Sequence, residues 1–212
     1  MFVLSSLLEN SKIPSGVTHV AGAPNSGKTT LLYQLCRNLS KEKKALIFDC
    51  EMSFSAQRLQ EVIKRRDALK KIIVIRITDK KQQFLNIMKT HNFLMNNSFH
   101  FIGINGFTNH FRFTEKTTNE ISIHRKLGIQ MAYLMKISKE LKQPIVLTNQ
   151  VSVFKENDKQ MLKSVASQIT NHYSNTNIVL QQINKKLWKA RNENEEIYYT
   201  LSSKGIEVIS QK

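Results

Sequence analysis

The sequence is poor in the residues that break or staple a chain. Of 212 residues, three are proline, seven glycine and two cysteine. So little proline and glycine leaves small room for a flexible tether, and residues 1–212 read as one domain. The cysteines, Cys36 and Cys50, make no disulfide framework and, with no CxxC, no zinc site. They read as small buried hydrophobes in a reducing compartment. No apolar run reaches the roughly 18 residues of a membrane span. The opening Met1-Phe2-Val3-Leu4 lacks the basic lead and cleavage site of a secretory signal. A cytoplasmic protein is expected, with no membrane partner. Acid is also scarce. Sixteen Asp+Glu face 32 Lys+Arg, a net charge of +16. That excess either attracts a polyanion (DNA, RNA or an acidic protein) or forms a solvated Lys-rich surface. The 41% hydrophobic share excludes an extended disordered chain.

What is present is an alternation of strand-length apolar runs and helical periods. Strands are expected at Val17–Gly22, Ala45–Phe48, Ile72–Ile77, Phe99–Ile104 and Ile145–Leu147. Helical spacing covers Thr29–Leu39, Ser55–Arg65, Gln83–Met95 and about Glu120–Leu141. Val151–Ser167 is mixed and charged, and reads as a mobile loop. Ile178–Ile183, Leu187–Ala190, Ile197–Leu201 and Ile206–Ile209 are strands joined by short turns. The pattern predicts an α/β fold: a mostly parallel central sheet flanked by helices, with an antiparallel C-terminal extension.

The strongest motif is Gly22-Ala23-Pro24-Asn25-Ser26-Gly27-Lys28-Thr29, which fits G-x-x-x-x-G-K-[ST] at every fixed position. It follows a predicted strand and opens a predicted helix. The glycines let backbone N–H groups curl toward phosphate oxygens, and the helix N-terminus favours an anion. Lys28 is suited to reach the β/γ-phosphates, Thr29 to ligate Mg²⁺, and Thr30 to continue the cradle. ATP and Mg²⁺ are therefore the expected cofactors.

Three polar groups end the neighbouring strands, where open α/β sheets bind ligands. Glu51 either serves as general base toward an attacking water or caps the next helix. Asn105 stands where an acid is expected to hold the water shell of Mg²⁺. Its amide accepts a hydrogen bond but carries no charge, so the site binds Mg²⁺ weakly or the protein hardly turns ATP over. Gln150, closing Thr148-Asn149-Gln150, either senses the γ-phosphate or is a plain strand end. The six histidines show no ligand pairing.

At these residues the chain resembles the RecA-type recombinase superfamily, in its archaeal and eukaryotic branch. The P-loop resembles that family's Walker A, and Phe48-Asp49-Cys50-Glu51 its strand ending in Asp-Thr-Glu, whose last acid is the base. Ile145 to Val151 resembles the strand leading into its second DNA-binding loop. The resemblance implies a RecA-like P-loop ATPase core without the family's N-terminal DNA-binding domain, most like the short archaeal RadB-type paralogues. It further implies weak, DNA-dependent ATP hydrolysis and a role in homologous recombination and DNA repair. The expected partners are DNA, single-stranded, and a recombinase, a paralogue or a second copy. Two stretches match the family's DNA loops. The first holds Phe111, Arg112, Phe113 and Lys116, and the second Phe154, Lys155, Lys159 and Lys163. Rings interleaved with cations suit single strands, since bases stack while cations meet phosphates. A different reading is a non-hydrolysing ATP-binding scaffold that mainly holds another recombinase-like protein.

Overall fold

A computed structural model describes residues 7, 13–40, 42–112, 120–156, 159–164 and 166–211. Ten strands are described: β1 (Val17–Gly22), β2 (Lys44–Asp49), β3 (Ile72–Arg76), β4 (Phe99–Asn105), β5 (Ile145–Glu156), β6 (Lys159–Ser164), β7 (Thr176–Gln182), β8 (Trp188–Arg191), β9 (Glu196–Ser202) and β10 (Gly205–Gln211). Nine run in the order β10-β9-β8-β7-β1-β5-β4-β2-β3, and β6 pairs with β5 off that path. Pairings from β7 to β3 are parallel, and those of β7 to β10 antiparallel. The central strands are buried on both faces, so their sequences are continuous apolar runs rather than alternating ones.

The helices are α1 (Lys28–Leu35), α2 (Ala56–Ile63), α3 (Arg66–Leu69), α4 (Lys80–Met88), α5 (Thr90–Asn96), α6 (Glu120–Glu140) and α7 (Ser167–His172). Successive strand residues point to opposite faces, and the core divides accordingly. Ala45 and Ile47 join Leu31, Leu32, Leu35, Leu59 and Val62, the apolar stripes of α1 and α2. Leu46 and Phe48 join Ile87, Leu127, Met131 and Leu134 of α4 and α6 on the other face. Cys36 and Cys50 are fully buried and free, as expected. Among the described residues no helix is long and apolar enough to cross a membrane.

Three local expectations fail for physical reasons. Val151–Ser167 is not a loop. β5 continues to Glu156 and turns back as β6, with Val151 opposite Ser164, Val153 opposite Leu162 and Glu156 opposite Lys159. Lys155, Glu156, Lys159 and Lys163 interrupt the apolar alternation by which a strand is recognised. Their charge therefore disguised a strand as a loop. The single helix over Gln83–Met95 is two, broken at Lys89. The Thr90 hydroxyl donates to the Asn86 carbonyl at 3.3 Å, a back-bond that bends a helix. The helix from Thr29 tightens into a 3₁₀ turn at Cys36–Asn38.

Candidate functional site

The P-loop lies between the centre of the sheet and the start of α1. Gly27 caps the helix at φ 90°, a left-handed conformation that glycine adopts without strain. The first helical bond, Leu31 N–H to the Gly27 carbonyl, is 2.8 Å. The N–H groups of the preceding turn therefore have no acceptor within the helix and face outward, the usual arrangement of a helix N-terminus. A Cβ on Gly27 would stand 2.7 Å from Leu201 of β9, so the antiparallel extension closes over the loop. The buried Tyr199 hydroxyl, also on β9, donates to the Ser26 carbonyl at 2.8 Å. Arg58 of α2 donates to the Ser202 and Ser203 carbonyls at 2.7 and 2.9 Å and fixes the same strand end. Sequence reasoning gave Tyr199, Leu201 and Arg58 no role at this site. Their partners lie more than 140 residues away in the chain, and no local pattern reports such a pairing.

Lys28 is only 6% exposed. Its ammonium folds back to donate to the Gly22 and Ala23 carbonyls at 3.0 and 2.7 Å. Burial pulls its pKa down from 10.5 to about 8; nearby Glu51 opposes the shift and Arg112 adds to it. A cleft of ≈ 460 Å³ is lined by Pro24, Asn25, Ser26, Gly27, Lys28, Thr29 and Thr30 with Glu51, Ser53, Arg58, Gln150 and Leu201. The structure thus brings the P-loop residues together with Glu51, just past β2, and Gln150, where β5 leaves its pairing with β1. Gly22 and Ala23 contribute from the base of the cleft through the carbonyls that hold Lys28.

Glu51 packs over Gly106. A Cβ at Gly106, whose φ is +74°, would lie 2.2 Å from the Glu51 Cγ. Position 106 is therefore closed to side chains by conformation and by Glu51 together. Asn109 donates to the Cys50 carbonyl at 2.9 Å and holds the strand end from the other side.

Asn105 is fully buried and all its amide capacity in this network is used. Its Oδ1 accepts from the Thr29 hydroxyl at 3.1 Å and the Thr148 hydroxyl at 3.2 Å. Its Nδ2 donates to Asp49 Oδ1 at 2.9 Å and Ser53 Oγ at 3.0 Å. Thr29 and Asn105 present neutral, hard oxygen donors, a set compatible with Mg²⁺, which keeps much of its water and takes charge from phosphates. Among the described residues no cluster of three His, Cys, Asp or Glu could hold a metal by itself.

Gln150 accepts a hydrogen bond from Arg112. Arg112, expected only on a DNA loop, thus reaches the rim of the P-loop cleft through Gln150. Behind it a neutral chain crosses the sheet. His19 meets Asn177 Oδ1 through Nδ1 at 3.2 Å and Asn149 Nδ2 through Nε2 at 3.1 Å. Asn149 Oδ1 in turn accepts from the Thr108 N–H at 3.0 Å. Burial lowers the His19 pKa to about 4, so the ring is neutral and structural. Phe111 is buried, with Lys80 5.7 Å from its ring centroid, which removes it from the surface set. Phe113 and Lys116 lie outside the described residues. Phe154, Lys155, Lys159 and Lys163 fall on the β5–β6 hairpin, of which the backbone path is described.

A P-loop after the central strand, polar groups at the ends of the parallel strands beside it and an antiparallel C-terminal extension define a RecA-like α/β core. A Rad51 family model matches residues 3–208, and the chain belongs to the Rad51 family. It is similar to proteins named DNA repair and recombination protein RadB. The Thermococcus sibiricus protein is 27% identical over 92% of this chain and 87% of its own length. The Thermococcus kodakarensis protein is 27% identical over 96% and 95%, and the Archaeoglobus fulgidus protein 24% identical over 96% and 94%.

Proposed function

We propose that the chain is a single-domain recombinase paralogue that binds ATP with Mg²⁺, hydrolyses it slowly, and uses it to control contact with DNA and with a recombinase-like partner in repair. The observation that carries this reading is the buried Lys28 ammonium, parked on P-loop carbonyls in a cleft shared with Glu51 and Gln150. An ammonium whose pKa is depressed by burial gains from an arriving anion. Lys28 then turns from the Gly22 and Ala23 carbonyls to the β/γ-phosphates, while the α1 N–H groups take the remaining phosphate oxygens. Mg²⁺, when bound beside Thr29 and Asn105, offsets phosphate charge. Glu51 takes the proton of the attacking water. Gln150 reads the γ-phosphate and passes its state through Arg112 to the segment that follows. The Asn105 amide, in place of an acid, favours the second reading of a non-hydrolysing scaffold. ATP turnover with and without single-stranded DNA separates the two, measured beside Lys28→Ala. DNA-stimulated turnover supports the first; none in either condition leaves the scaffold.

Two solution properties follow. Lys28 should add no pH dependence to nucleotide affinity between about pH 7 and 8, where it is charged before and after binding. Above that pH the free protein must take up a proton to bind, so affinity should fall by up to about tenfold per pH unit. Protein stability runs the opposite way. The unfolded chain keeps the Lys28 proton up to 10.5, so this group's contribution to stability rises with pH between about 8 and 10.5. Calorimetry in buffers of different ionisation enthalpy reads the proton uptake. If the hairpin and the segment after Arg112 neutralise roughly five phosphates, log K should fall with log[salt] at a slope near about −3.5 on single strands. Binding indifferent to salt would remove the DNA reading.

A further inference from the structure

A cleft of ≈ 900 Å³ lies at the end of the sheet opposite the P-loop. It opens at the start of β4, where Phe99 and His100 line it; Asn105, at the other end of that strand, is about 20 Å away. Its walls are the ends of α5 and α6, and both are tied to the sheet. The Lys44 N–H donates to the Ser98 carbonyl at 2.9 Å and the Lys44 ammonium to Asn97 Oδ1 at 2.8 Å. Beyond α6, the Gln143 N–H donates to the Ser138 carbonyl at 3.1 Å, and the Pro144 carbonyl accepts from the Ile102 N–H at 3.0 Å.

The lining has a definite chemistry. Lys43 and Lys142 stand exposed at the rim, and no carboxylate lines the cleft among the described residues. Neither lysine has an ion pair there. Burial, and then Lys43, lower the His100 pKa, so its ring offers a hydrogen bond and the two lysines supply the charge. Lys142 holds a φ of 50° just past a helix end, where glycine is usual and other residues are strained. Gln143 is only 7% exposed, and its Nε2 reaches no further than the Pro144 carbonyl at 3.3 Å. Its Oε1 has no partner among the described residues. Beside these groups, Leu141 is 39% and Met95 66% exposed, the latter the most exposed large apolar side chain described.

We propose that this cleft docks an acidic peptide segment of a partner protein. Its carboxylates meet Lys43 and Lys142, an apolar side chain packs on Met95 and Leu141, and a backbone N–H donates to Gln143 Oε1. A net charge of +16 speeds the approach of such a partner, and methionine adapts to the side chain it meets. Nucleic acid fits less well. Duplex phosphates reach the rim but leave the apolar wall unused, and single strands need open rings to stack on, whereas Phe99 is 4% exposed. The proposal goes beyond the nucleotide reading and does not depend on it.

The test uses two pools of short peptides capped at both ends. Each carries a central leucine, methionine or phenylalanine, flanked by glutamates in one pool and by lysines in the other. The unaltered protein should bind members of the glutamate pool and none of the lysine pool. Met95→Asp, and separately Lys43→Glu with Lys142→Glu, should each weaken the best binder by at least about tenfold, because like charges then meet. All three positions are exposed, so Tm should hold. Lys142→Gly relieves the left-handed turn and should keep or raise Tm while weakening the peptide about two- to fivefold, the scale of one exposed ion pair. Binding of a fluorescent ATP analogue should be unchanged in every variant, which separates failure here from failure of the nucleotide reading. Absence of binding to the glutamate pool would overturn the proposal, as would binding that these variants leave intact. Displacement of the peptide by a short DNA duplex whose own binding survives Met95→Asp would assign the rim to nucleic acid and overturn it as well.

Discussion

Lys28→Ala should cut ATP affinity by about two to three orders of magnitude while leaving the fold intact. The Lys28 ammonium is nearly buried, yet its partners are neutral carbonyls, and its pKa has fallen from 10.5 to about 8. A base with a depressed pKa is held less well in the folded protein than in the unfolded chain. Removing it therefore relieves an unfavourable burial, and Tm should hold or rise. With nucleotide bound the balance inverts. Deleting one partner of a buried charge pair costs about 3–5 kcal/mol, because the other charge is left unpaired, and each 1.4 kcal/mol is a factor of ten in affinity. Binding of a fluorescent ATP analogue, with thermal unfolding on the same samples, checks both halves. An affinity within about threefold of the unaltered protein would sink the phosphate-site assignment. A matching collapse of Tm would show that the lysine is structural.

This site was legible because its signal is local. Eight consecutive residues set the glycine turn, the lysine and the helix start, and the βα alternation gives a mostly parallel sheet. The apolar runs Val17–Gly22, Ala45–Phe48 and Phe99–Ile104 became β1, β2 and β4 almost residue for residue, since a strand buried on both faces shows its hydrophobicity without interruption. Legibility failed where partners are distant or composition misleads. Tyr199 holds the Ser26 carbonyl across 173 residues of sequence, and nothing around Tyr199 predicts it. The β5–β6 hairpin hid behind its lysines. Asn105 was read alone, as a missing acid, and no local pattern shows that it bonds Asp49 across the strand pair at 2.9 Å. Arg112 was assigned to DNA by the rings around it, but the buried Phe111 and the bond to Gln150 tie it to the nucleotide side.

Glu51→Gln should lower single-turnover ATP cleavage by about 10²–10⁴-fold, the usual contribution of a positioned general base, with nucleotide binding retained. Retention follows from the geometry. Glu51 lies in the cleft lining and over Gly106, while the proposed phosphate contacts come from Lys28 and the α1 N-terminus. Glu51 also supports the charged form of Lys28, so Gln at 51 should lower the lysine pKa further. The alkaline fall in nucleotide affinity should then begin at lower pH. That second readout shows that the Glu51 carboxylate faces Lys28 even where turnover is slow. A companion variant tests the placement. Gly106→Ala must strain a backbone at φ +74° and push its Cβ into the Glu51 side chain. It should reduce cleavage through displacement of Glu51 while Lys28 and the P-loop still bind ATP. Cleavage by Glu51→Gln at the rate of the unaltered protein would remove Glu51 as the base, and the water would then have to be activated by the phosphate itself.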